Sequence, residues 1–166
     1  PVAMTAGTAN HSVIMRNLHR ALDRRLQGST CQYLCPDAGL ATVETRVRYP
    51  DALITCSKFP GNARTIPGVV AVFEIVSPGT SRVDRIVKVR EYAAVPSIRR
   101  YVILESTTAG LTVFERQDTE MYWRAVTLTG EDVLRMRELT IEIPLMEFYA
   151  DVDFGDDNEL EEIPVR

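Results

Sequence analysis

The chain has 166 residues, a length that suits one domain with a sizeable core. Hydrophobic residues make up 45% and charged residues 25%, ordinary for a soluble globular protein. No apolar run approaches the ~20 residues that span a bilayer, and no basic region followed by an apolar core marks a secretory signal. The expectation is a cytoplasmic protein with no membrane partner.

Net charge is −4, but it is unevenly spread. Residues 1–100 carry +7, residues 101–150 carry −5 and residues 151–166 carry −6. A polyanion responds to the local field, so the basic N-terminal part can hold phosphates. The first residue is Pro1, and Pro1–Asn10 reads as the middle of a longer chain. Earlier elements are therefore expected to precede this numbering.

Asn10 reads as an N-cap. Ile14, Leu18, Leu22 and Leu26 then recur every four residues, which predicts an amphipathic helix over about Ser12–Leu26, stopped by Gly28. Cys31–Leu34 is a short strand. Ala41, Val43 and Val47 alternate with Thr42, Glu44, Arg46 and Arg48, which predicts a half-buried strand over Ala41–Arg48. Tyr49-Pro50-Asp51 interrupts it, and Ala52–Cys56 resumes. Ser57–Pro67 is a loop.

Val69–Val76 is the strongest strand signal, apolar throughout as a strand covered on both faces is. A helix follows over about Ser81–Ala94. Val83, Ile86, Val87 and Arg90 lie near one face, with Asp84, Lys88 and Glu91 around another. Arg100–Glu105 is a strand. Leu111–Glu115 and Tyr122–Leu128 read as an antiparallel pair. Thr140–Ile143 is a final strand, and Pro144 starts a short helix through Tyr149. One α/β domain over 1–150, with a mixed central β-sheet flanked by helices, fits this order. Asp151 to Glu162 is acidic and poor in apolar residues, so 151–166 reads as a mobile tail.

Three cysteines, Cys31, Cys35 and Cys56, without a signal sequence argue for reduced thiols. Cys31 and Cys35 resemble half of a zinc site. No second pair follows them, and buried strand cysteines are the plainer account.

Glu74 breaks the local pattern. An ionised carboxylate inside an apolar strand costs several kcal/mol unless something pairs with it or coordinates it. It is a candidate site residue, the alternative being a structural ion pair with an arginine such as Arg46. Asp51, at the break after Pro50, is a turn residue when taken alone. Beside Glu74 it becomes a second ligand, because two carboxylates on adjacent strands suit one hard cation. The backbone carbonyl of Ile75 could add a third. Phosphodiester hydrolysis also uses a cationic group near the scissile phosphate. The common lysine position, two residues after the strand carboxylate, holds Val76 here. Lys88 is the replacement candidate, one of only two lysines in the chain. Asp84 lies one turn earlier, and the two could equally form a surface ion pair.

Several stretches together resemble a known family. They are Asn10-His11-Ser12, Tyr49-Pro50-Asp51, Phe73-Glu74-Ile75-Val76-Ser77-Pro78-Gly79-Thr80, Asp84-Arg85 with Lys88 and Tyr92, and Ser97–Leu104. They resemble the Uma-type restriction endonuclease family of the PD-(D/E)XK nuclease superfamily, over about residues 3–150. The resemblance implies a restriction-endonuclease-like fold with Asp51 and Glu74 as metal ligands and Lys88 as a catalytic lysine moved to the helix. It adds His11, Asp37, Ser77 and Asp84 as site-lining positions. The implied cofactor is Mg²⁺ or Mn²⁺, the implied partner DNA, and the implied assembly a homodimer. The N-terminal helix and strand usual in the family do not appear in this numbering. The leading expectation is thus a Mg²⁺-dependent endonuclease acting on DNA phosphodiester bonds. The alternatives are a catalytically inactive module of the same fold that binds nucleic acid or a protein, and a hydrolase of another phosphate ester.

Overall fold

The computed structural model describes residues 7–43, 46–80, 82–117 and 120–155. The N-terminal segment before Gly7, Glu44, Ser81 and the acidic stretch beyond Gly155 lie outside the described residues.

A six-stranded mixed sheet forms the centre, in the order β1-β4-β5-β6-β7-β8. Strand β5 (Val69–Val76) occupies the middle, and its continuous apolar run is buried on both faces. Strand β6 (Arg100–Glu105) runs parallel to it. A parallel neighbour requires a crossover, supplied by helix α2 (Arg82–Ala93). Strands β7 (Gly110–Glu115) and β8 (Arg124–Thr129) continue as an antiparallel meander. On the other side, β4 (Ala52–Thr55) and β1 (Gln32–Leu34) pair antiparallel. The expected mixed sheet flanked by helices is the observed fold class.

Two cores sandwich the sheet. On one face, Ala71, Phe73, Ile75, Val102 and Leu104 meet Ile14, Leu18, Ala21 and Leu22 of helix α1 (Ala9–Leu26). Helix α3 (Leu145–Phe148) and the hairpin of β9 (Val133–Met136) and β10 (Ile141–Pro144) complete that layer. On the other face, Val72, Val76, Tyr101 and Ile103 meet Tyr92 of α2. A small hairpin of β2 (Leu40–Ala41) and β3 (Val47–Arg48) flanks α2. Arg46 and Arg48 close it on the buried carboxylate of Glu91 at 2.7 and 2.6 Å.

Several sequence expectations change here. Helix α1 is capped by Thr8, whose hydroxyl accepts from the His11 N–H, while the Asn10 side chain donates instead to the Asp153 carbonyl at 2.7 Å. The alternating segment Ala41–Arg48 is not one strand. It folds back on itself, with Leu40 paired to Arg48 and Ala41 to Val47. The arginine pair is thereby brought onto Glu91. Strand β9 was not expected at all. The start of the acidic segment is docked: the Asn17 amide donates to the carbonyls of Phe148 and Ala150, and Phe154 packs against Tyr149.

The cysteine expectation is overturned. The register sets Gln32 opposite Thr55, so the next pair outward is Cys31 and Cys56, with Cα atoms 3.9 Å apart, and they are disulfide-bonded. Cys35 alone is free and exposed. Strand register, which no count of cysteines reveals, decides the pairing. In the native protein one thiol per chain should titrate before reduction, and three after denaturation with reductant. Closing this 25-residue separation should contribute about 3 kcal/mol, measured as the loss in urea unfolding of Cys31→Ser. Three titratable thiols in the unreduced native protein would contradict the pairing.

Candidate active site

The site gathers where β4 begins, where β5 nears its end, and where α2 crosses over them. Pro50 breaks the edge of the chain before β4, and Asp51 follows it. Because Ala52 pairs with Phe73, Asp51 falls beside Glu74 across the antiparallel ladder. The Asp51 carboxylate is not loose: its Oδ2 accepts from the Ile75 backbone N–H at 2.6 Å. The Asp51 carbonyl lies 3.2 Å from His19 Nε2. Its other carboxylate oxygen, Oδ1, is 3.7 Å from His11 Nε2. The Ile75 backbone and the Glu74 carboxylate also favour the charged imidazole. The hydrogen bond to Asp51 is the largest influence on His11 and holds its pKa above the ordinary histidine value, against the opposing effect of burial.

Glu74 points to the opposite face of the sheet from Phe73 and Ile75, toward α2. Only 7% of the residue is exposed. Its two oxygens are divided between two residues of that helix. Lys88 Nζ donates to Oε2 at 3.1 Å, and the Tyr92 hydroxyl donates to Oε1 at 2.7 Å. Burial pushes the Glu74 carboxyl above the ordinary glutamate range, with Lys88 and Tyr92 pulling it back and Asp51 adding repulsion. One ammonium and one phenol therefore do not fully compensate this carboxylate. Asp84 lies 3.6 Å from the same Lys88 nitrogen. The Tyr92 ring meets Tyr101 edge-on at 4.8 Å, and burial raises the pKa of its hydroxyl.

The orientation of α2 follows from these interactions. The stripe Val83-Ile86, apolar in the sequence, faces outward, with Val83 69% and Ile86 52% exposed. The polar positions Lys88 and Glu91, with Tyr92, turn to the sheet. The face that carries Lys88 and Glu91 turns inward because two buried carboxylates, Glu74 and Glu91, demand partners. The arginine alternative for Glu74 does not hold: Arg46 binds Glu91.

Asp51, Glu74, Lys88, His11 and Asp84 are brought together. Ser77 sits just beyond β5 in a turn closed by its carbonyl and Thr80 N–H at 2.9 Å. Asp37, expected on a strand entering the site, lies exposed in the turn between β1 and β2. Neither Ser77 nor Asp37 makes a side-chain hydrogen bond or ion pair among the described residues. Tyr92 belongs to the sequence motif but carries no expected role there. The i, i+4 spacing of Asp84, Lys88 and Tyr92 on one helix face is the signal that points to it.

Among the described residues, no group of three His, Cys, Asp or Glu side chains closes into a ready-made metal cage. The donor set is two carboxylates and a backbone carbonyl, all hard oxygen. That chemistry fits a cation such as Mg²⁺, which takes one or two carboxylates and keeps several waters. The incomplete compensation of Glu74 points the same way.

A family model, Uma2, described as "Putative restriction endonuclease", matches residues 1–145. The chain belongs to the Uma2 family. An uncharacterized protein of Synechocystis, slr1290, is 27% identical over 154 residues, covering 92% of this chain and 80% of that protein. Among solved structures, a "putative nuclease belonging to DUF820" from Anabaena variabilis superposes with a TM-score of 0.70 at 10% identity. It covers 88% of this chain and 83% of the other. The likeness extends the Uma2 assignment to the fold: a mixed sheet flanked by helices, as in restriction endonucleases.

The raised pKa of Glu74 means that folding takes up a proton there. Its stabilising contribution is full below the ordinary glutamate value and is lost as pH rises through the folded value. In chelator, Glu74→Gln should therefore be more stable than wild type at neutral pH. The gap should close at acidic pH. Urea unfolding across a pH series measures both, and a variant destabilised equally at every pH would contradict the assignment.

Proposed function

We propose that the chain is a divalent-cation-dependent endonuclease hydrolysing DNA phosphodiester bonds, with Asp51, Glu74 and Lys88 at its centre. The observation that carries the reading is the buried carboxylate of Glu74. It is held 3.1 Å from the Lys88 ammonium and set beside Asp51, in a fold shared with nucleases. Lysine from the helix thereby stands in for the missing lysine at Val76.

Asp51, Glu74 and the Ile75 carbonyl would hold Mg²⁺ or Mn²⁺. When bound, such an ion lowers the pKa of a water and neutralises charge on the phosphorane-like transition state. The protein supplies the remainder. The Ile75 N–H fixes the Asp51 carboxylate in one orientation. Tyr92 fixes Glu74. The Lys88 ammonium, only 20% exposed, offers a preoriented positive charge to the scissile phosphate. Asp84 keeps that ammonium on the site side of α2. His11 lines the pocket against Asp51, with Ser77 at its edge and Asp37 further out. Cutting both strands of a duplex takes two such sites, which a homodimer would bring.

The test is a cleavage assay on plasmid, linear and single-stranded DNA with Mg²⁺ or Mn²⁺. Asp51→Ala, Glu74→Ala and Lys88→Ala should each lose at least roughly 100-fold in rate. Tyr92→Phe should lose roughly 10-fold, because Glu74 keeps Lys88 but gains freedom. Cleavage that survives all three alanine changes sinks the site. No cleavage by wild type with either metal would leave the fold as a binding module.

A further inference from the structure

Away from Glu74, the far end of the sheet assembles a charged groove that the sequence hides. Residues 101–150 are acidic overall, at −5. Yet the fold gathers Arg99, Arg100, Arg116, Arg124, Arg135 and Arg137 around one groove of about 670 Å³, against three glutamates. The mechanism is strand register. Arg100 at the start of β6 pairs with Glu115 at the end of β7, which in turn pairs with Arg124 at the start of β8. The β9 strand and the 3-10 turn after it add Arg135 and Arg137.

The carboxylates there are already in use. Glu115 bridges Arg100 and Arg124, and Glu138 holds Arg100 at 2.6 Å. Arg135 reaches Glu142 on the neighbouring strand at 3.1 Å, an exposed pair. Two guanidinium groups remain without a carboxylate among the described residues. Arg116 donates only to backbone carbonyls, those of Ile98 at 2.9 Å, Ala93 at 2.8 Å and Val95. Arg137 is exposed, and its guanidinium makes no hydrogen bond or ion pair among the described residues. Six arginines against three glutamates leave the groove positive in formal charge. Aromatic surface borders the arginines. Arg116 stacks over Trp123 at 4.9 Å, and beside it Tyr122 and Met121 are 82% and 80% exposed.

Guanidinium groups with spare donors recognise phosphate oxygens, and an exposed aromatic ring offers a base a stacking surface. We propose that this groove is a second nucleic-acid site, binding the phosphate backbone of a single strand with a base on Tyr122, distinct from the carboxylate centre. The choice of nucleic acid over another polyanion rests on the nuclease reading above. Arg100 stands three positions before Ile103, the partner of Glu74, roughly 10 Å along β6 and on the opposite face of the sheet. The groove is thus a site of its own, separate from the carboxylates.

The chain has one tryptophan, Trp123, and it packs against the groove-lining Arg116, so its fluorescence can report a change there. The full chain is titrated with a single-stranded DNA of about 20 nucleotides in EDTA, where no cleavage can occur. Saturable change in Trp123 emission is expected, weakening steeply with salt. Arg137→Glu and Arg135→Glu, both at exposed positions, should together weaken binding at least roughly 10-fold. They should also flatten the log–log salt slope by about 1.4, or about 0.7 for each phosphate no longer neutralised. Thermal melts confirm that the variants fold. Lys58→Glu, a charge reversal at an exposed position outside the groove, should bind as wild type does, and EDTA keeps the proposed chemistry out of the assay. Binding that leaves Trp123 emission unchanged and ignores both charge reversals overturns the proposal, as does no binding at all. A mononucleotide giving the same response at the same concentration would also overturn it, by making the ligand a small phosphate compound.

Discussion

An ionisable carboxylate in the middle of a doubly covered strand is the constraint from which much of this structure follows. Glu74 lies between Phe73 and Ile75 in β5, and removing its charge from water costs several kcal/mol. A tyrosine hydroxyl and a lysine ammonium meet it from α2, and Asp51 approaches from β4. Asp51 adds to the imbalance, because its charge repels that of Glu74. A purely structural core has no reason to retain that arrangement, since an apolar residue at 74 would pack without it. The proposed cation site would give it one.

The same constraint explains how α2 is attached. Amphipathic helices normally bury their apolar stripe, but here Val83 and Ile86 face outward and the polar stripe faces in. The helix is fastened mainly by charge: Lys88 to Glu74, Arg46 and Arg48 to Glu91, and Arg85 to both oxygens of Glu105. Tyr92 supplies much of the apolar packing. Such a helix is specified by its register of charges, and a shift of one residue would unpair three carboxylates at once. That registration is what keeps Lys88 over the site.

The sequence was most legible where physics is local. Strands β5 and β6 fall on the expected residues because a continuous or alternating apolar run between prolines and glycines admits few alternatives. Glu74 stood out for the same reason, as a cost with no visible compensation. Lys88 came from resemblance, since its usual position holds Val76. What depended on pairing between distant segments was hidden. The β2–β3 reversal, the β9 strand, the Cys31–Cys56 bond and the arginine groove all arise from register, which leaves no mark in any single segment. The two faces of α2 were legible, but which one is buried depends on the partners that buried carboxylates require. No helix among the described residues is long and apolar enough to cross a membrane, in line with the composition.

The central claim is that Asp51 and Glu74 form one divalent-cation site. Isothermal titration of the metal-free protein with Mn²⁺ tests it without reference to any substrate. The account predicts one site per chain, weakened at least roughly 10-fold in both Asp51→Asn and Glu74→Gln. Absence of binding by wild type, or binding that neither substitution alters, would contradict it.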